Sequence, residues 1–219
     1  MLIDFHVHSK YSFDCFLEPE WIIDRARRLG LDGLAVMDHD TMDGVAEFRR
    51  LAPDLYIIAG QEITTRIGDV RGLFLRAPVA PCAEEAAVIR AIRAQGGLAV
   101  LAHPFKWPHL WRNPEVFKKF DAVEVFNARN NIPVPYLENG LMKRAAARWQ
   151  LCGIAGSDTH EGFEMGCAVT IFDMGRREAT DDRLKDAIRQ GRARWRGREV
   201  FLGTEIVSHF SRNIRSLWR

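Results

Sequence analysis

The feature that most constrains this chain is a placement: short apolar runs that read as strands repeatedly end in a histidine or a carboxylate. The first is Leu2-Ile3-Asp4-Phe5-His6-Val7-His8-Ser9. Successive side chains of a strand alternate faces, so His6 and His8 share one, roughly 6.5–7 Å apart along the backbone. Two imidazoles so placed can converge on one metal ion. An isolated His-x-His is as readily a pair of structural histidines. Here recurrence decides, because only seven histidines occur in 219 residues and several stand where a strand runs out.

Taken in order, the chain alternates strand and helix signals. Pro19, Glu18 and Glu20 predict the first turn of a helix reaching about Leu29, where Gly30 stops it. Asp32 to Met37 reads as a strand ending in Asp38-His39-Asp40. Thr41 predicts a cap for a second helix running to Pro53. Leu55 to Ile63 is a third strand, with Glu62 near its end, and Val70 to Leu75 an additional one. Ala83 to Gln95 has helical periodicity and is closed by Gly96-Gly97. Leu98 to Ala102 reads as a buried strand ending in His103. The Trp- and Pro-rich stretch from Phe105 to Phe120 reads as a lid or wall beside that strand end. Asp121 to Asn127 is a strand, Pro135 to Gln150 a helix, and Leu151 to Gly156 a strand followed by Ser157-Asp158-Thr159-His160. A strand over Ala168 to Phe172 and a helix over Asp181 to Gln190 follow. Arg192, Arg194, Arg196 and Arg198 then alternate along a presumed strand, which reads most simply as a solvated, charge-blunted edge.

This alternation implies an α/β domain of parallel strands joined by crossovers, with helices outside and chemistry at the carboxyl ends of the strands. A hydrophobic content of 47% and a charged content of 27% are globular, and a net charge of +2 announces no nucleic-acid binder. No apolar run approaches a bilayer span, and the start resembles no signal peptide. Cys15, Cys82, Cys152 and Cys167 are scattered, without a Cys-x-x-Cys pair, which predicts reduced thiols and a cytoplasmic protein. No repeat or linker divides the chain, so 1–219 reads as one barrel domain, with 173–219 an extension packed on it.

The strand ends offer His6, His8, His39, Glu62, His103, the region of Glu124 to Asn127, Asp158 and His160. Imidazole with carboxylate suits Zn²⁺, Mn²⁺ or Fe²⁺ better than Ca²⁺, with Mg²⁺ also admissible. The donors exceed the needs of one four-coordinate ion, so two or three ions are expected, with Glu62 or Asp158 bridging two of them. Such clusters polarise a phosphoryl group and activate water, which makes phosphoester hydrolysis by a metal-activated hydroxide the natural chemistry. Asp158, His160 and His39 are the catalytic candidates, with His160 or a neighbouring acid protonating the leaving oxygen. Lys10 and Arg129 are candidates for gripping a substrate phosphate. Asp38 and Asp40 are expected to orient imidazole N–H groups or to sit in exposed loops. His109 and His209 lack strand-end placement and read as ordinary.

In this order of motifs the chain resembles the polymerase and histidinol phosphatase (PHP) family of metal-dependent phosphoesterases. The matching positions are His6-x-His8 with Asp14 downstream, Asp38-His39, Glu62, His103 and Asp158-x-His160, and the similarity spans about residues 1–172. The resemblance implies a distorted seven-stranded β/α, TIM-like barrel with a trinuclear site in its mouth. It implies that His6, His8, Glu62 and Asp158 surround one ion and that Glu62 bridges to a second, which also takes His103. His39 and His160 would hold a third, with Asp14 nearby. The family usually adds a His or Cys from the strand after the His103 equivalent. Val123-Glu124-Val125-Phe126-Asn127 has neither, so Asn127, Glu124 or water would complete that shell. The substrate expected is a phosphorylated small molecule or nucleotide. A 5'-3' exonuclease-type activity on nucleic acid is the close alternative, and a non-catalytic metal-stabilised binding module a further one. A barrel amidohydrolase would want a metal-bridging carboxylated lysine at a strand end, and the nearest lysine is Lys106. Nothing in the sequence fixes the oligomeric state or suggests a membrane partner.

Overall fold

The computed structural model describes residues 1–104, 114–129 and 137–200. Strands β1 (Leu2–Val7), β2 (Gly33–Val36) and β3 (Tyr56–Thr65) lie side by side and parallel, with helices α1 (Pro19–Arg28) and α2 (Val45–Leu51) as crossovers. Helix α1 has Pro in its first turn, Glu20 at its positive end and Arg25, Arg27 and Arg28 at its negative end, and buries Ile22, Ile23 and Ala26. Gly30 then takes a left-handed φ of 67°. Helix α2 begins later than the sequence suggests, after Gly44, and the Thr41 hydroxyl accepts the Asp43 N–H at 3.1 Å instead of capping the helix.

Within β1–β7, one strand departs from the all-parallel expectation. β4 (Gly68–Leu73) follows β3 through residues 66–67 and runs antiparallel both to β3 and to β5 (Leu98–Leu101). So short a connection permits a hairpin and excludes a parallel crossover. The alternating pattern then resumes with α3 (Glu85–Ala94) before β5, β6 (Ala122–Asn127), α4 (Leu137–Trp149) and β7 (Gly153–Gly156), and β5, β6 and β7 are parallel. β8 (Ala168–Ile171) pairs antiparallel with the other edge of β1, and β9 (Arg194–Gly197) pairs with β8. The order β7-β6-β5-β4-β3-β2-β1-β8-β9 makes a nine-stranded, nearly closed sheet in which β1–β7 supply the expected seven.

Ile3, Phe5, Ala35, Met37, Ile58, Leu98, Val100 and Ile154 form one buried cluster with Leu184, Ala187 and Ile188 of helix α5 (Asp181–Arg189). On β1, Leu2 and Val7 instead join the cluster that packs on α1 and α2. The register with β2 slips between Asp4 and Val7. This bulge changes the phase of the strand, so that Ile3 and Phe5 fill the barrel below while His6 and His8 enter it above.

The barrel closes at a narrow seam between β1 and the segment after β7. His8 N–H donates to the Thr159 carbonyl at 3.1 Å, and Thr159 N–H to the His6 carbonyl at 3.2 Å. The buried Asp4 carboxylate accepts the N–H groups of Ser157 at 2.9 Å and Gly166 at 3.0 Å. Gly156 makes the approach possible, since a Cβ there would lie 2.4 Å from His6 Cβ.

Of the expected wall from Phe105 to Phe120, residues 105–113, with Lys106 and His109, lie outside the described residues, as does His209. Pro114–Lys119 is a 3-10 helix, and Val116, Phe117 and Phe120 are core residues. Among the described residues no helix is long and apolar enough to cross a membrane.

Gly156→Ala is expected to destabilise the protein by about 1–3 kcal/mol in denaturant unfolding, because backbone must move to admit the methyl. Gly140→Ala in α4, where nothing lies within 4 Å of the added carbon, should be neutral or stabilising by up to about 1 kcal/mol.

Candidate metal centre

The strand ends bring their ionisable side chains into one buried cluster. Its hub is Glu62 on β3, which is 1% exposed. Glu62 Oε2 stands 3.1 Å from His6 Nε2, 3.2 Å from His8 Nε2 and 3.6 Å from His39 Nε2. Its Oε1 stands 3.2 Å from His103 Nε2. Asp158 Oδ1 faces His6 at 3.5 Å and His8 at 3.4 Å from the far side of the seam. Asp14 Oδ2 meets His160 Nε2 at 2.9 Å and His39 Nε2 at 3.6 Å, while its Oδ1 accepts the Ser12 hydroxyl at 2.8 Å. His103 and Asp158 adopt left-handed φ angles of 23° and 57°, a strain of roughly 1–3 kcal/mol each.

Three overlapping donor sets result, each with its ligand atoms within 4.8 Å of one another: His6, His8, Glu62 and Asp158; His8, Asp14, His39 and His160; and Glu62, Asp69 and His103. Asp69 is absent from the sequence reading. It stands at the start of β4, and a strand's beginning faces the mouth only because β4 runs against its neighbours. The antiparallel direction implied by the two-residue turn was the available signal.

The residues suggested for the remaining ligand do something else in this arrangement. Glu124 Oε1 accepts from His6 Nδ1 at 3.0 Å and pairs with Arg71 Nη1 at 3.1 Å. Its Oε2 accepts the His103 backbone N–H at 2.8 Å and the Asn127 amide at 3.0 Å. The Asn127 amide also donates to Asp158 Oδ2 at 3.1 Å, and its Oδ1 accepts the Arg129 N–H at 2.8 Å. Arg71, fully buried in β4, donates to the Phe5 carbonyl at 2.9 Å. Glu124 thus orients His6 so that Nε2 faces the cluster. Asp38 and Asp40 do not orient imidazoles: Asp38 accepts the Ser9 N–H and hydroxyl, and Asp40 the Thr64 N–H and hydroxyl. Lys10 lies outside the buried cluster and pairs with Glu18 at 2.7 Å and Glu47 at 3.8 Å. Arg129 is buried, with Nε 3.4 Å from Glu164 Oε1.

The electrostatics are those of a cation site. Burial favours neutral His6, but Glu62 and Asp158 outweigh it and push the imidazole up to about 9. Burial acts likewise on His8, and the facing carboxylates of Asp158 and Glu62 raise it well above the usual range. Burial would raise Glu62, yet the surrounding imidazoles hold it well below. His160 is pressed down to about 4 by burial and by charge on His8. Without a metal, protons on histidine neutralise the carboxylates. His8 Nδ1 and Nε2, His39 Nδ1 and Glu62 Oε1 are buried without a hydrogen-bond partner, a condition that costs free energy unless a ligand fills it. The donor chemistry and these orphaned atoms fit divalent metal ions.

Residues 4–101 match the model of the PHP domain, and residues 137–193 that of a PHP-associated region. An uncharacterized protein of Methanocaldococcus jannaschii is 33% identical over 141 residues, which cover 58% of this chain and 82% of that protein. An error-prone DNA polymerase of Mycobacterium tuberculosis is 39% identical over 64 residues, 28% of this chain and 6% of the polymerase. The crystal structure of a two-domain protein from Bacteroides vulgatus, containing a predicted PHP-like metal-dependent phosphoesterase, aligns with a TM-score of 0.73 at 20% identity. That alignment covers 90% of this chain and 65% of the Bacteroides chain, and it shows a shared fold.

Metal uptake at pH 7 is expected to expel protons from His6 and His8, read as a heat of binding that changes with the ionisation enthalpy of the buffer. Glu124→Gln should weaken metal binding about 10–100-fold in a competition titration. Burial would raise the Glu124 carboxyl, but Arg71 and His6 hold it at about 2. A lowered carboxyl stabilises the fold above its unfolded value and loses that contribution as the pH falls through about 4.5 toward 2. Acid unfolding of metal-free Glu124→Gln should therefore show a shallower limb across that window.

Proposed function

The chain belongs to the PHP-domain family, and on that premise we propose that it is a metal-dependent phosphoesterase acting on phosphorylated small molecules or nucleotides. The observation that carries the reading is the set of three overlapping donor groups sharing Glu62 and His8 at the mouth of the barrel. His6, His8, Glu62 and Asp158 would hold one ion, and His103 and Asp69 with Glu62 would hold a second. Asp14, His39 and His160 offer a third position. Zn²⁺, Mn²⁺ or Fe²⁺ suits this mixture of imidazole and carboxylate. The four free cysteines accord with a cytoplasmic setting.

When bound, two or three such ions polarise phosphoryl oxygens and lower the pKa of a coordinated water. The chain's own part is to place and neutralise. Asp158, fixed by the Asn127 amide, accepts the proton that the attacking water gives up as the new P–O bond forms. An acid beside the cluster returns a proton to the leaving oxygen as the old P–O bond breaks, while His160, kept neutral by burial and by charge on His8, and His39 line the cluster. Arg129, backed by Glu164, supplies a guanidinium for the phosphate. Lys10 contributes only when a phosphate draws its ammonium away from Glu18 and Glu47. A nuclease reading is favoured by the stretch of similarity to a DNA polymerase.

His8→Ala and Asp158→Ala are each expected to lose bound metal and to reduce phosphoester turnover to background, measured by elemental analysis and by a panel of phosphomonoesters, nucleotides and short oligonucleotides. Survival of metal and turnover in His8→Ala would overturn the assignment. A metal-loaded protein inert toward the whole panel would point to a non-catalytic binding module.

A further inference from the structure

The phosphoesterase reading leaves one charged feature unused. β9 carries Arg194 and Arg196, both exposed, on one face of an edge strand, and Arg192 and Arg198 extend the line at either end. On the other face Trp195 stacks with Phe126 at 5.6 Å between ring centroids. Lys143 of α4 lies 4.8 Å over the Trp195 ring and adds a further cation. Among the described residues none of the four arginines makes an ion pair or a side-chain hydrogen bond. An edge strand needs only a charge or two to resist aggregation, and mixed charges serve as well. A row of four like charges, with no acid between Arg192 and Arg198, costs self-repulsion and is relieved by a polyanion.

The row leads to the metal centre. Arg198 N–H donates to the Cys167 carbonyl at 2.8 Å, and Val200 N–H to the Ala128 carbonyl at 2.9 Å. The Asn139 amide donates both to Glu199 Oε1 at 2.7 Å and to the Asn127 carbonyl at 2.9 Å. Asn127 in turn holds Asp158. The carboxyl end of β9 is therefore pinned beside the mouth, and the arginines recede from it in single file, about 6.5–7 Å apart within the strand.

We propose that β9 is a backbone track for a single-stranded nucleic acid whose terminal phosphoester enters the metal centre. A single file of cations leading to one mouth fits one strand, because the two backbones of a duplex would demand a second row. Guanidinium groups on successive outward positions bind phosphates without reading sequence. The inference rests on the phosphoesterase reading for the destination of the strand end, but the track itself is testable without turnover.

The probe is a fluorescent oligothymidylate of about a dozen nucleotides, titrated with the metal-depleted full chain in chelator over a range of salt. Arg194→Gln/Arg196→Gln is expected to weaken binding at least tenfold and to reduce the slope of log affinity against log salt by about 1.4, the value for two lost single-strand phosphate contacts. Arg194→Lys/Arg196→Lys should retain most of the binding. In the metal-loaded protein the glutamine variant should turn over p-nitrophenyl phosphate like the parent while losing activity on the oligonucleotide. No binding of the oligonucleotide, or binding indifferent to the glutamine substitutions, overturns the proposal. So does arginine-dependent binding to phosphatidylserine vesicles with none to the oligonucleotide. Arginine-dependent strand binding by a protein that hydrolyses no phosphoester would sustain the track and defeat the phosphoesterase reading.

Discussion

The carboxylate of Glu62 sits inside the barrel among the imidazoles of His6, His8, His39 and His103, and the architecture of the mouth depends on keeping it charged. The ends of β1, β2 and β5 converge on it, so the site exists only when the barrel is closed. Burial alone would drive Glu62 to its neutral form. What keeps it ionised is positive charge, carried by protons on His6 and His8 in the metal-free chain and available from divalent ions otherwise. The same argument explains the buried Arg71–Glu124 pair beneath. Glu124 orients His6 and the His103 backbone, and the guanidinium balances a carboxylate that water cannot reach.

Most of the mouth was legible because its members come from parallel strands, whose carboxyl ends point the same way. His6, His8, His39, Glu62, His103, Asp158 and His160 each follow an apolar run, and the structure brings them together. Asp69 was not legible by that rule, since it opens β4, the strand that runs the other way. Arg71 was hidden for a different reason: a charged residue within a strand reads as solvent-facing, and only the barrel interior supplies its partners. Glu124 and Asn127 were recognised as belonging to the site and offered, with water, as ways to complete a metal shell, because spacing alone does not separate a group that meets a metal from one that holds the ligands in place.

The alternation of side chains also had a limit. On β1, strict period two would place Ile3, Phe5 and Val7 on one face and the histidines on the other. The slip between Asp4 and Val7 lets one short strand serve both the apolar floor and the polar mouth. Sequence periodicity averages over such a bulge and cannot locate it. The two-residue turn after β3 has a comparable effect on topology, replacing a crossover helix by a hairpin and bringing an acid into the mouth.

The seam between β1 and the end of β7 has a consequence for the molecule as a whole. His6 and His8 lie on one side of it, Asp158 and His160 on the other, and one short pair of backbone bonds with the Asp4 carboxylate spans the gap. An ion held from both banks would act as a rivet across this seam. Opening the joint and releasing the ion would then become a single event, and the lifetime of the closed barrel would be tied to the residence time of a bound metal.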